Sequence, residues 1–241
     1  MRSFLTALLL MAAFVSGAAE ALPLDEFLNR TRNPQPFSSY AMLEGEVQHR
    51  RRGEDPQSAP LYFGIILQPE RMTGQIVIDG SEGYLLGQTR KGGTASQSAV
   101  PQGKSAENRL GRMGIRPSDL TMSFLYYPAE KELPAETVRT VPCRVVELVE
   151  PNGGERVRVY IARDYFFPLK AEFFLPDNPD APYRTLEVSS FKKSNDLYYT
   201  DELGLYGPGW RTRIRFDKAE VAPYDPAHPP AVIRPLPAAS K

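Results

Sequence analysis

The chain of 241 residues has one cysteine (Cys143), two histidines (His49 and His228) and one tryptophan (Trp210). A single cysteine excludes an intrachain disulfide. The two histidines have no second His or Cys at metal-ligand spacing, and no serine motif of nucleophile-elbow type lies near either. Both histidines read as exposed. Net charge is absent as well: 29 basic residues balance 29 acidic ones. No global attraction to nucleic acid or to an anionic membrane follows. No glycine-rich phosphate loop follows a strand pattern; Gly92-Gly93 and Gly153-Gly154 read as ordinary turns. Carboxylates are plentiful, yet Glu44 and Glu46 lie two apart on a polar strand face, as solvent-facing residues do. Cys143 shares a strand face with Val141 and Val145 and reads as a small buried hydrophobe. Catalysis, metal binding and cofactors are therefore not expected.

Long apolar runs are also missing, apart from Phe4 to Val15. That run follows Arg2, is shorter than the roughly 20 residues a spanning helix needs, and leads to Ala19-Glu20-Ala21, the A-x-A form that signal peptidase accepts. Residues 1–21 read as a cleaved signal peptide. Cleavage leaves 241 − 21 = 220 residues beginning at Leu22, enough for one large domain. No cysteine follows the run to accept a lipid. The expected location is a periplasm, as a soluble monomer.

What the chain does have is alternation. Leu43 and Val47, then Leu61, Phe63 and Ile65, then Ile76 and Ile78, form successive apolar rows joined by short polar turns. Val157, Val159 and Ile161 continue the pattern, followed by Leu169, Ala171 and Phe173, and finally Trp210, Thr212, Ile214 and Phe216. Period-2 alternation marks half-buried antiparallel strands. Two short helical segments accompany some nine strands. One is Leu22 to Thr31; the other starts at Pro117 with Ser118 or Asp119 as N-cap and buries Leu120, Phe124 and Leu125. A sheet with so little helix must curl on itself or hold a ligand. The fold class these patterns give is mainly β (α+β), an antiparallel sheet with few short helices.

Between the strands, Lys91 to Arg112 is rich in Gly, Ser, Gln and Ala and is expected to be a mobile loop or lid. The domain runs from 22 to 222. Residues 223–241, with six prolines from Pro223 to Pro237, are expected to form a loosely attached extended tail. Arg211, Arg213 and Arg215 share the face opposite Trp210. They read as a solvated face paired with acidic neighbours on the next strand, the alternative being a site for an anionic partner or lipid headgroups.

Several segments together resemble the periplasmic outer-membrane lipoprotein-sorting proteins, LolA-like in fold. Gly114-Ile115-Arg116-Pro117-Ser118-Asp119-Leu120-Thr121 with Phe124-Leu125 is similar to that family's mid-chain segment. Val141 to Leu148 is similar to the strand after it, and Tyr160 to Asp164 with Pro168 to Glu172 to its central hairpin. Trp210-Arg211-Thr212 stands where the family runs its last long strand, so the likeness spans Leu24 to Val221. It implies a curved antiparallel half-barrel with short helices on or near its concave face, acting as a non-catalytic carrier or binder of lipoprotein acyl chains or other lipids. The apolar rows, with Leu43, Val47, Leu61, Phe63, Ile65, Ile76, Ile78, Val157, Val159, Ile161, Leu169, Phe173, Trp210, Ile214 and Phe216, would line the cavity. The same fold also serves as a periplasmic sensor or interaction module with an envelope protein partner. The leader carries the first prediction: intact-mass measurement of the exported protein should show loss of residues 1–21, and a retained N-terminus or a diacylglycerol adduct would overturn it.

Overall fold

The computed structural model describes residues 22–33, 37–91, 94–104 and 107–236. The expected signal peptide and its cleavage point lie outside the described residues, as does the tail beyond residue 236. Helix α1 (Leu24–Arg32) leads into β1 (Ser39–Arg51), β2 (Gln57–Leu67), β3 (Arg71–Ile78), β4 (Glu82–Lys91) and β5 (Thr94–Gly103). A link follows, made of α2 (Arg109–Arg112), α3 (Pro117–Thr121) and a 3-10 turn (Ser123–Tyr126). The second meander is β6 (Ala129–Val138), β7 (Val141–Val149), β8 (Arg156–Ala162), β9 (Pro168–Phe174), β10 (Arg184–Ser194), β11 (Leu197–Gly207) and β12 (Trp210–Pro223).

All twelve strands form one antiparallel sheet in the order β5-β4-β3-β2-β1-β12-β11-β10-β9-β8-β7-β6. The first and last strands therefore pair at its centre, and β5 and β6 are its opposite edges. Register brings the apolar rows into line. Leu43 pairs with Phe63 and Phe63 with Ile76, while Val47 pairs with Ile214 and Ile214 with Leu203. Leu186, Ala171, Val159 and Val146 continue the band across β10 to β7. Each such side chain, fully buried, contributes about 1.5–3 kcal/mol. At the central seam a bulge leaves Asp217 unpaired beside Gly45. A β-carbon at Gly45 would overlap the Arg215 carbonyl, so the close approach of β12 requires glycine there.

The link from β5 to β6 must travel from one sheet edge to the other, and it does so across the concave face. Leu110, Met113, Ile115 and Phe124 are buried in the same cluster as the sheet rows, together with Phe27 and Leu28 of α1. The Phe124 and Phe173 rings meet edge to face at 5.3 Å between centroids.

Three strands depart from the sequence expectation. The segment expected as a loop at Lys91–Arg112 contains β5 and α2; its small polar residues carry no strand signature, and ladder pairing with β4 supplies the structure. Strand β6 is charged, contains Pro134 and is bulged twice, all features of an edge strand. Strand β11 hides its period behind Asp201-Glu202 and two irregularities against β10. One expected inward residue also changes side. A bulge at Tyr160/Ile161 pairs Ile161 with Pro168, which turns Leu169 to the convex face with Cys143, Val145 and Tyr160.

The expectation of a loose tail is corrected too. Val232 is buried and its carbonyl accepts from the Tyr62 hydroxyl at 2.8 Å. Arg234 donates its amide to Gln75 (2.8 Å), and its carbonyl accepts from the same side chain (3.0 Å). The Arg234 guanidinium stacks on the Tyr62 ring and pairs with Glu44 at 2.6 Å. Proline keeps this segment extended, but tertiary contacts hold it against the convex face. Val232→Asp should therefore cost about 2–3 kcal/mol in denaturant melts, since a carboxylate there has no partner. A cost near zero would restore the loose tail.

Candidate functional site

The concave face is the candidate site, and its depth is set by how the cover is attached. At one end, the Thr212 hydroxyl donates to the Met113 carbonyl at 2.6 Å, and His49 Nδ1 lies 2.8 Å from the same hydroxyl. His49 is buried, against the expectation of an exposed side chain, because β1 places it directly opposite Thr212 with Trp210 beside it. Burial holds its pKa below the ordinary imidazole value, helped by Arg51.

In the middle, Asp119 and Arg184 form a buried ion pair that pins α3 to β10. Asp119 sits at the third position of α3, where its carboxylate also accepts the Arg116 amide at 2.6 Å. The N-cap is thus Arg116, ahead of both Ser118 and Asp119, the residues expected to serve. Burial pushes the Asp119 carboxyl up to about 6, opposed by Arg184 and the Arg116 amide. Burial likewise lowers Arg184. Beside this pair, Arg116 donates to Tyr183 (2.8 Å) and to Glu155 (3.1 Å).

At the other end, Arg32 ties α1 to the 3-10 turn by donating to the carbonyls of Leu125 (2.7 Å) and Tyr127 (3.0 Å). The Tyr126 hydroxyl returns a bond to the Arg32 carbonyl at 2.7 Å. Here the cover does not meet the sheet completely. A cavity of about 230 Å³ opens between them, lined by Leu43, Phe63, Ile65, Phe216, Met122 and Leu125 among others. Tyr198, largely exposed, stands at its rim. Met122 joins α3 to the turn at φ +49, the left-handed region that residues with a β-carbon rarely adopt.

Of the fifteen residues expected to line a cavity, Leu43, Phe63, Ile65 and Phe216 do so. Val47, Leu61, Ile76, Ile78, Val157, Val159, Ile161, Phe173 and Ile214 are instead packed beneath the helical cover in the continuous core. Trp210 lies half-buried at the far end near His49 and Arg184, and Leu169 is on the other face. Leu203, Tyr198 and Tyr199 were missed because β11 was missed; Phe167 was missed because it precedes the strand pattern. Among the described residues, no group of three or more His, Cys, Asp or Glu could hold a metal ion.

No protein-family model matches the sequence, and no curated protein sequence matches it significantly. Solved structures do match. A domain from Vibrio parahaemolyticus, provisionally described as an outer membrane lipoprotein-sorting protein, superposes with TM-score 0.60 at 12% identity, over 81% of this chain and 91% of that one. A DUF1329 family protein from Desulfovibrio piger gives TM-score 0.62 at 16% identity, over 81% and 90%. A LolA superfamily protein from Nitrosomonas europaea gives 0.53 at 13%, over 83% and 94%. The chain has the LolA-like fold, as the sequence resemblance implied.

The buried ion pair generates a pH prediction. A carboxyl with a raised folded-state pKa contributes most stability below its unfolded value, and loses it as pH rises through the folded one, here about 6. Removing Arg184 raises that pKa further and strands the carboxylate. Arg184→Met should cost about 3–5 kcal/mol at pH 8 and clearly less at pH 5, where Asp119 is protonated. Urea melts at both pH values that give equal losses would refute this.

Proposed function

We propose that the chain is a non-catalytic periplasmic carrier or binder of acyl chains, those of lipoproteins or of other lipids, which it takes up on its concave face. The observation that carries this reading is the apolar cavity of about 230 Å³ at the edge of the helical cover. Its floor, Leu43, Phe63, Ile65 and Phe216, continues directly into the buried band under α2 and α3. Burial of apolar surface is non-directional, so an acyl chain can replace the cover's side chains against the same floor.

The volume sets a condition. Small-molecule sites enclose roughly 300–1,000 Å³, so the present opening admits only part of a long acyl chain. Uptake therefore requires α3 and the 3-10 turn to lift. These elements share no ladder with the sheet; besides the buried side chains of Leu120 and Phe124, discrete polar contacts at Arg184 and Arg32 hold them. The leader of the sequence and the fold likeness support export and the lipid class.

Fluorescent fatty-acid titration with thermal melts tests the reading. Ile65→Glu, at the cavity, should lose most binding while folding persists, because water can reach the new carboxylate. Ile76→Glu, fully buried in the band, should unfold or lose several kcal/mol. A wild type that takes up no fatty acid, and carries none in native mass spectrometry after isolation from its own compartment, would leave the sensor or interaction module of the same fold.

A further inference from the structure

On the convex face, away from the cavity, the same central strands carry a second hollow of about 320 Å³. Gly204 of β11 lines it, and the Tyr206 ring lies over that glycine, where a β-carbon would come within 2.6 Å of the Tyr206 hydroxyl. Register puts Gly204 opposite Arg213, and Arg213 opposite Gln48; one step along, Tyr206 stands opposite Arg211, and Arg211 opposite Arg50. Two arginines therefore face each other across β1 and β12, an arrangement that normally destabilises a strand pair.

The expected acidic neighbour on the next strand neutralises only one arginine of this cluster. Glu202 is engaged by Arg213 at 2.6 Å, and Arg215 pairs with Asp217 of its own strand at 3.1 Å. Among the described residues, Arg50 and Arg211 have no ion-pair partner. The Tyr206 hydroxyl, the Gln48 amide and the Ser189 hydroxyl also line the hollow without a hydrogen-bond partner among those residues. Donors converge, and the one carboxylate present is already in use.

The geometry points to an oxyanion site of phosphate type in this hollow, with Arg50 and Arg211 as its principal ligands and Arg213, Tyr206 and Gln48 around them. Guanidinium groups match the planar pairs of oxygens that a phosphate presents. A chain of zero net charge gains a local positive field here, one that either a lipid headgroup or free phosphate satisfies. The site is at the Arg51 end of β1, whereas the cavity is near Ser39. Strand rise puts about 17 Å between Leu43 of the cavity and Gln48 of the hollow, and the two open on opposite faces of the sheet, so the site does not depend on the acyl-binding reading.

Calorimetry with inorganic phosphate, and co-sedimentation with vesicles of phosphatidylcholine alone or with about a third phosphatidylglycerol, test it on the full chain. Binding is expected in at least one arm; phosphate binding alone identifies a soluble anion, and binding only to the anionic vesicles identifies a headgroup. The Arg50→Gln/Arg211→Gln double variant should bind about 30-fold more weakly, the combined effect of two arginines at an anionic surface. It should also melt no lower than wild type, since it relieves a repulsion. Arg215→Gln, outside the hollow, should change binding little. No binding in either arm overturns the site, as does an Arg215→Gln loss matching that of one hollow arginine, which would mean a diffuse basic face.

Discussion

The pairing of the first strand with the last governs this molecule. Because β1 and β12 meet at the centre of the sheet, the two meanders extend outward and leave β5 and β6 at opposite edges. The chain between those edges must cross a face of the sheet. It takes the apolar face, since Leu110, Met113, Ile115 and Phe124 can be buried only there. The cover is thus a consequence of strand order. So is the curl, because a link packed on one face draws that face around itself. Glycine at position 45 lets the seam close, at a point where a side chain would collide with the Arg215 backbone.

A cover imposed by topology still needs a fixed position. Apolar contacts are non-directional and would allow the link to slide, whereas Asp119 with Arg184, Thr212 with Met113, and Arg32 with two carbonyls each specify one placement. The buried ion pair is weak as a source of stability, because desolvation of both groups offsets their attraction. Its value is positional. Contacts of this kind can break singly, as the proposed uptake requires, while the central ladder stays intact.

The two faces divide the labour differently. The concave face is apolar and covered, with one opening where α3 and the turn pull away from β1 and β12 and another between α3 and β3, β4 and β5. The convex face is polar apart from the small cluster around Cys143, Val145 and Leu169. The C-terminal segment straps one half of it, through Tyr62, Gln75 and Glu44, and the arginine hollow lies beyond that strap. Alternation along β12 serves both: Ile214 and Phe216 point inward, Arg211, Arg213 and Arg215 outward.

Alternation by itself determined the strand-rich class, the inward rows of β1, β2, β3, β8 and β12, and the helical start at α1, because side-chain period is a local property of the backbone. The family resemblance supplied the half-barrel with a covered concave face. Strands that owe their existence to a neighbour were illegible: β5 has no propensity of its own, β6 reads as charged coil, and β11 is broken by Asp201-Glu202. The same holds for single residues. A bulge at Leu169 itself, opposite Tyr160 and Ile161, turned it outward, cross-strand register buried His49, and Tyr62 with Gln75 captured a tail that proline content alone leaves extended. Which apolar residues line an opening and which lie packed beneath the cover was likewise decided only by tertiary structure. Ile65 and Ile76 are equivalent in pattern, and they differ because the link crosses the sheet above one and stops short of the other.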